Sequence, residues 1–309
     1  MRLAVVGAGA VGGYYGVRLA QAGNEVIFIA RGANLEAIRS HGLSVQSPLG
    51  DATVRARAEE DSRAVGPVDA VLFAVKTYSN PVALPLLRPL VGPRTMVLTL
   101  QNGVDSAEEI AAALGPEAVL AGATYIIASV SAPGVIRHTG PARRIVFGEA
   151  FGARALTPRV TGLQRALAAA DIDAEAVPDS RVPIWEKFIF LAPLAGMTAA
   201  ARLPLGPLWD VTEFRNSYHQ AMAELEAIAR AEGVGVAADV RQQKMSYLDQ
   251  APRETRTSLM VDLVGGRRIE VEALLGAAVR RGRRAAVPTP IMQALYSVLK
   301  PHEHGRPAE

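Results

Sequence analysis

Lysine is scarce in this chain. Only four of its 33 basic residues are lysine (Lys76, Lys187, Lys244 and Lys300), and arginine supplies the rest. Arginine stays protonated at every working pH, whereas a lysine taken out of water can shift its pKa and surrender a proton. Lys187 is the one placed oddly. With Glu186 it heads an otherwise apolar run, VPIWEKFIFLAPLAG, residues 182–196. Two readings stand at this point. Lys187 is a proton donor kept at an apolar site, or it is a helix-start charge whose stem reaches back to solvent.

A second chemical signature lies at the other end of the chain. AVVGAGAVGGYYG carries the spacing Gly7-x-Gly9-x-x-Gly12, directly after a strand pattern and at the opening of an amphipathic helix. In that context the glycines serve a tight turn, a close approach of backbone to a pyrophosphate, and close helix–strand packing. The residues Gly7, Ala8, Gly9, Ala10, Val11 and Gly12 are therefore expected to hold a dinucleotide. The helix start would turn its free N–H groups and positive dipole end toward the phosphates. The next strand, EVIFIARG, ends in Arg31, with no acid before Glu36. An acid at that place would suit a ribose 2′-hydroxyl, whereas a guanidinium suits a 2′-phosphate. The expected cofactor is thus NADP(H). Lys76 ends a further strand, in FAVKTYSN, where a cation can meet the cofactor phosphate. Asn102 ends the next, in QNGV, on the same rim, although Asn-Gly alone also reads as a plain turn.

These residues need elements to hold them. Buried-strand runs occur at RLAVVGAG, EVIFIAR, DAVLFAVK, TMVLTLQNG, EAVLAGATYIIAS and RRIVFGEA. They are short, β-branched and apolar on both faces, as parallel strands covered by helices are. Helical patterns lie between them at 11–22, 34–40, 85–90, 106–114 and 158–170. Alternating strands and helices predict an α/β fold with a Rossmann-type doubly wound sheet. SVQSPLGDATVRARA alternates around a turn and predicts a hairpin added to that sheet. After DAEAVPDSRVP no strand pattern follows. Helical patterns run at 184–201, 212–232, 237–248, 255–263, 269–281 and 290–299, with Thr289-Pro290 as cap and first-turn proline of the last. The predicted organisation is a nucleotide-binding domain over residues 1–178 and an all-α domain over residues 179–309. The tail from Pro301 is expected to be loose.

Bulk properties close off several classes. Net charge is +3, aromatics are 5%, and the arginines are interspersed with acids, so no nucleic-acid partner is expected. There is no cysteine, which excludes disulfides, thiol catalysis and thiolate metal sites. Met1 leads straight into a strand without a leader pattern. No uncharged stretch reaches the roughly 18 residues of a membrane span, and the run from Phe188 to Ala201 is short and broken by Pro193. A cytoplasmic protein is expected.

The glycine loop, Arg31, Lys76, QNGV, WEKF and a late RRIEVEALLG, in this order, resemble the ketopantoate (2-dehydropantoate) reductase family over nearly the whole chain. The resemblance implies a Rossmann domain followed by a helical domain, with NADPH reducing a 2-oxo acid. It implies that Lys187 is the catalytic lysine and that Glu270 is an acid organising substrate and cofactor. It places Asn102 between nicotinamide and substrate and gives Ser258 a substrate-binding role. Ala128 falls near a backbone contact to the cofactor. A lysine suits the chemistry, because reduction of a ketone leaves charge on oxygen that an ammonium stabilises and then protonates. A homodimer through the helical half would be in keeping with this reading.

The chain departs from the family at the substrate. Asparagines expected one and two helical turns after the lysine are Leu191 and Ala195, and Leu275 replaces another in EALLG. Glu272 stands where an aspartate is common. A more apolar pocket follows, and with it a paralogous reductase of a less polar oxo acid as the alternative. A β-hydroxyacid or 6-phosphogluconate type dehydrogenase and a non-catalytic NADP(H) sensor are further alternatives. The remaining candidates read as structure. His302 and His304 fall in the tail, His138 and His219 lack partners at metal-ligand spacing, and no metal is expected. Lys244 and Lys300 read as surface charges, RRGRR from Arg280 as an exposed helix end, and Trp185 and Trp209 as packing.

Overall fold

The computed structural model describes residues 1–306 and divides into two compact units. The first comprises Met1–Gln101 and Ser106–Ser180. The second comprises Asn102–Asp105 and the chain from Arg181 onward.

The first unit is built on one ten-stranded sheet. Its strands are β1 (Arg2–Val6), β2 (Glu25–Ile29), β3 (Leu43–Gln46), β4 (Ala52–Val54), β5 (Arg57–Glu59), β6 (Ala70–Phe73), β7 (Met96–Thr99), β8 (Val119–Ala132), β9 (Val135–Glu149) and β10 (Asp173–Ala176). The order is β4-β3-β9-β8-β7-β6-β1-β2-β5, and β10 pairs with β9. From β5 across to β8 every pairing is parallel. Alternation along β1 splits its side chains between two cores. Leu3 and Val5 enter one, with Tyr14, Val17 and Leu163; Ala4 and Val6 enter the other, with Leu87 and Ile110. Strands covered on both faces are the reason these runs are apolar throughout. The fold is thus the Rossmann-like mixed sheet with helices that the alternating pattern predicts.

Several details differ from the sequence expectation. EAVLAGATYIIAS and RRIVFGEA pair in parallel with β7 and β10 respectively, as expected, but they are antiparallel to each other. They lie in β8 and β9, a long antiparallel hairpin. The inner half of β8, Val119–Thr124, is buried, and the outer half is largely exposed, so only the inner half carries the apolar pattern of a covered strand. β10, whose sequence DAEA has no β signal of its own, forms beside β9. Residues 85–90 are held as a tight three-residue-per-turn helix, Leu84–Leu90, rather than an α-helix, with prolines removing N–H donors.

The second unit is helical. Its central helix, Arg181–Ala201, buries Trp185, Phe188, Ile189, Ala192, Leu194, Ala195 and Ala199 against the helices Thr212–Ala231, Ser258–Val264 and Pro290–Leu299. By length and composition this helix would also pass for a membrane span, a test met by core helices of globular units. A short helix, Leu205–Trp209, was not marked by any sequence signal. The helix expected from 255 starts at Ser258, because Thr257 caps it by accepting from Met260 N. The stretch expected as one helix over 269–281 is instead a π-turn, Glu272–Gly276, running into the helix Ala277–Arg284.

One surface expectation is corrected here and two are refined. Over its described residues, 301–306, the tail folds back: Ile269 N donates to Glu303 O at 3.2 Å, and Arg306 N to Gly266 O at 3.4 Å. Lys300 is a surface charge with its side chain 42% exposed, and it is ion-paired with Glu272 and Glu303. RRGRR is an exposed helix end at Arg280, Arg283 and Arg284, but Arg281 within it is only 4% exposed and paired with Asp105 and Glu232.

Candidate active site

In the sheet unit the loop between β1 and the helix Ala10–Gln21 sits where the strand order reverses, between β1 and β6. Such a switch point opens a crevice beyond the carboxyl ends of the strands. The glycines there answer different needs. A Cβ on Gly12 would lie 2.3 Å from the Gly7 carbonyl oxygen and 2.9 Å from Val5, so the helix can pack this closely only without a side chain. A Cβ on Gly9 would meet nothing within 4 Å. The space over Gly9 is open, and the helix that follows has no side-chain cap on its N–H groups. Those two facts fit a phosphate cradle.

Arg31 follows β2, is exposed, and forms the N-cap position of the helix Gly32–His41. Lys76 follows β6 and is partly buried at the start of a single turn, Thr77–Ser79. Gly loop, Arg31 and Lys76 therefore share one rim of the sheet. That rim is braced by Gln101, a residue the sequence reading did not single out. Its Nε2 donates to Val75 O at 2.8 Å and to Asn80 Oδ1 at 2.7 Å, fixing the turn that carries Lys76. Ala8 O accepts from Asn34 Nδ2 at 2.8 Å. Ala128 lies in the outer half of β8 next to a register shift, opposite His138. A Cβ on Gly13 would meet Ile136 of β9 at 2.9 Å, so the outer hairpin passes the start of the nucleotide helix.

In the helical unit Lys187 stands in the second turn of Arg181–Ala201. Its Nζ donates to Asn102 Oδ1 at 3.0 Å. Burial pulls its pKa from the ordinary 10.5 down to about 8, and the Glu270 carboxylate pushes in the other direction without cancelling it. Glu270 is itself only 6% exposed, just before the π-turn. Three residues distant in sequence, at positions 102, 187 and 270, thus form one cluster: an amide, an ammonium whose pKa is drawn toward neutrality and a buried carboxylate. An insertion of the π type displaces one turn of backbone, and such turns recur at functional sites.

Asn102 reaches this cluster because Asn102–Asp105 belongs to the helical unit. Gly103 has φ +94°, and a Cβ there would come within 2.5 Å of the Ala273 carbonyl oxygen of the π-turn. Ser258 is exposed at the first turn of its helix. That helix packs on the Lys187 helix, and Thr257 beside it shares a 2.9 Å hydrogen bond with Thr198. Of the positions where the family has asparagine, Leu191 is partly buried, whereas Ala195 and Leu275 lie in the helical core. Glu272 accepts from Tyr296 Oη at 2.6 Å and is paired with Arg280 and Lys300. Among the described residues no group of three or more acids and histidines could hold a metal ion.

Comparison with known proteins covers both units. The sequence model of the family described as ketopantoate reductase PanE/ApbA matches residues 3–152, and that of its C-terminal domain matches residues 179–303. A 2-dehydropantoate 2-reductase of Mesorhizobium japonicum is 31% identical, over 97% of either chain. The crystal structure of a 2-dehydropantoate 2-reductase from Geobacter metallireducens superposes with TM-score 0.91 at 31% identity, covering 97% of this chain and 99% of its own. A D-mandelate dehydrogenase solved with NADH and anilino(oxo)acetate shares the fold at TM-score 0.90, with 21% identity and 98% of each chain covered.

Proposed function

The chain belongs to the ketopantoate reductase family, and on that premise we propose that it is an NADPH-dependent reductase converting a 2-oxo acid to a 2-hydroxy acid, of the 2-dehydropantoate 2-reductase type. One observation carries the catalytic part of this reading. Lys187 combines a hydrogen bond to Asn102, a neighbouring buried carboxylate and a pKa drawn down to about 8. An ammonium so poised can stabilise charge developing on a carbonyl oxygen and then deliver its proton near neutral pH.

The sheet unit fits the cofactor. The open space over Gly9 and the uncapped helix start would take the pyrophosphate, with Ala8, Ala10, Val11 and the Ala128 region around it. Arg31 would face a 2′-phosphate, which is the basis for NADP(H) over NAD(H), and Lys76 would add positive charge on the same rim. The nicotinamide, when bound, supplies the hydride. The chain's own groups do the rest: Lys187 handles the proton, Asn102 orients it and contacts substrate and cofactor, Glu270 holds the ammonium's charge state, and Ser258 binds the substrate carboxylate.

Substrate choice has a second reading with its own support. Leu191 lies one turn beyond Lys187 on the same helix face, where an apolar side chain cannot bond a substrate hydroxyl. Ala195 and Leu275 are core residues here, so they offer no polar group either. A less polar 2-oxo acid than ketopantoate fits these positions. As a biosynthetic reductase it would act in the cytoplasm, and a homodimer is the assembly to look for by size-exclusion chromatography.

The test is steady-state reduction of a panel of 2-oxo acids, ketopantoate included, by wild type and Lys187→Ala with NADPH. We expect Lys187→Ala to lose roughly a hundredfold to ten-thousandfold in turnover, with NADPH affinity nearly unchanged. Full turnover by Lys187→Ala, or binding of NADPH with no 2-oxo acid reduced by wild type, would overturn the reading. A clear preference for ketopantoate would decide against the less polar substrate.

A further inference from the structure

Asn102 can meet Lys187 only if the four-residue segment carrying it is pinned in place, and the pin is remote in sequence. Arg281 is 4% exposed, and its guanidinium bridges that segment to Glu232. Its Nε donates to Asp105 Oδ1 at 2.6 Å, its Nη2 to Val104 O at 3.1 Å, and its Nη1 to Glu232 Oε2 at 2.7 Å. Its guanidinium carbon stands 5.9 Å from the centroid of Trp185, two residues before Lys187 on the same helix. Arg280 adds a second, longer contact from its Nη2 to Asp105 Oδ2 at 3.3 Å. Gly103 completes the docking by its close approach to Ala273.

We propose that Arg281 and Asp105 are positioning residues for the reduction, forming the clamp that holds Asn102 against the Lys187 ammonium. Neither touches the reacting atoms; each acts through Asn102. A buried arginine joined to two carboxylates and a carbonyl gives a fixed geometry that lysine could not reproduce, because the planar fork sets three directions at once. The inference rests on Lys187 being the proton donor of the proposed function.

Asp105 is the better residue to change, because it is less buried than Arg281. Asp105→Ala should lower turnover roughly tenfold to a hundredfold, the scale of displacing a reacting group by about an ångström. KM for the oxo acid should change less than turnover. In Asn102→Ala, where the clamp has nothing left to hold, adding Asp105→Ala should cost no further turnover. Lys187 itself gives a readout that needs no turnover. With only four lysines in the chain, its titration can be followed by NMR on lysine labelled at Cε. Losing the acceptor on Asn102 disfavours the charged form, so the Lys187 midpoint should move to lower pH in Asp105→Ala. Asp105→Asn keeps an acceptor for Arg281 Nε and should fall between wild type and Asp105→Ala, which also covers the case in which the alanine variant does not fold. Multiplicative losses in the double variant, or a Lys187 midpoint that stays put or rises in both Asp105 variants, would overturn the clamp. Absence of reductase activity in wild type would instead remove the proposed function, and the Lys187 titration would still judge the clamp.

Discussion

The two candidate sites are built in opposite ways. The phosphate cradle of the sheet unit is a matter of backbone: glycines that leave room, a helix start with free N–H groups, and strand ends brought level by parallel pairing. The cluster of the helical unit is a matter of side chains, drawn from positions 102, 187 and 270 and held by ion pairs of residues farther off. A backbone site is confined to a dozen neighbouring residues. A side-chain site depends on everything that fixes its members, and its chemistry rests on what has been removed from water.

The largest test of that contrast pairs the two proposed sites. Lys187→Met should abolish most turnover while leaving nucleotide affinity almost intact, whereas Gly12→Ala should weaken both folding and nucleotide binding. The added methyl of Gly12→Ala meets backbone at 2.3 Å, so its melting temperature should fall by several degrees, corresponding to about 2–3 kcal/mol. Gly9→Ala meets no protein atom. Its melting temperature should match wild type while NADPH affinity drops, measured by fluorescence titration. Equal stability loss in Gly9→Ala and Gly12→Ala would erase the distinction between packing and cradle glycines.

Next in size is the linkage between proton and fold. Lys187 titrates near 8 in the folded chain and near 10.5 when unfolded. Below pH 8 both states carry the ammonium, and the folded state bears the full cost of desolvating it. Between pH 8 and 10.5 the unfolded state binds more protons, so this group's contribution makes stability rise with pH. The stability difference between wild type and Lys187→Met should therefore shift in favour of wild type by up to about 3 kcal/mol over that interval, read from urea unfolding at the two pH values. Reduction, which needs the ammonium, should fall as pH rises through about 8. Arg31→Ala comes after this. It should cost NADPH about tenfold to a hundredfold in affinity, the loss of one charge-assisted hydrogen bond, and leave NADH unchanged. The smallest effect is expected from Glu270→Gln. The carboxylate raises the Lys187 pKa, so its loss should move the alkaline limb of the reduction profile to lower pH.

The same contrast explains what could be read from the chain beforehand. The glycine loop, the strand ends at Arg31, Lys76 and Asn102, and the change to helices near residue 179 are local patterns, and the sheet reflects them. Lys187 stood out by residue type, because lysine is rare here. Arg281 could not, because its five-residue neighbourhood, RRGRR, reads as solvated charge until Asp105 and Glu232 are placed beside it. β8 and β9 misled for a related reason. Their buried inner halves do pair in parallel, with β7 and β10, and the antiparallel pairing between the two comes from a turn at residues 133–134 that composition does not reveal. β10 has no pattern of its own and exists because β9 leaves it an edge to pair with.

One consequence follows from the membership of Asn102–Asp105 in the helical unit. A helical half expressed from Arg181 would arrive without the amide that receives Lys187 and without the acid that answers Arg281. Chimaeras that trade the two halves between relatives at residue 180 would likewise mate a lysine from one parent with an asparagine loop from another. Modular exchange in this architecture has to carry a four-residue passenger from the donor's other half.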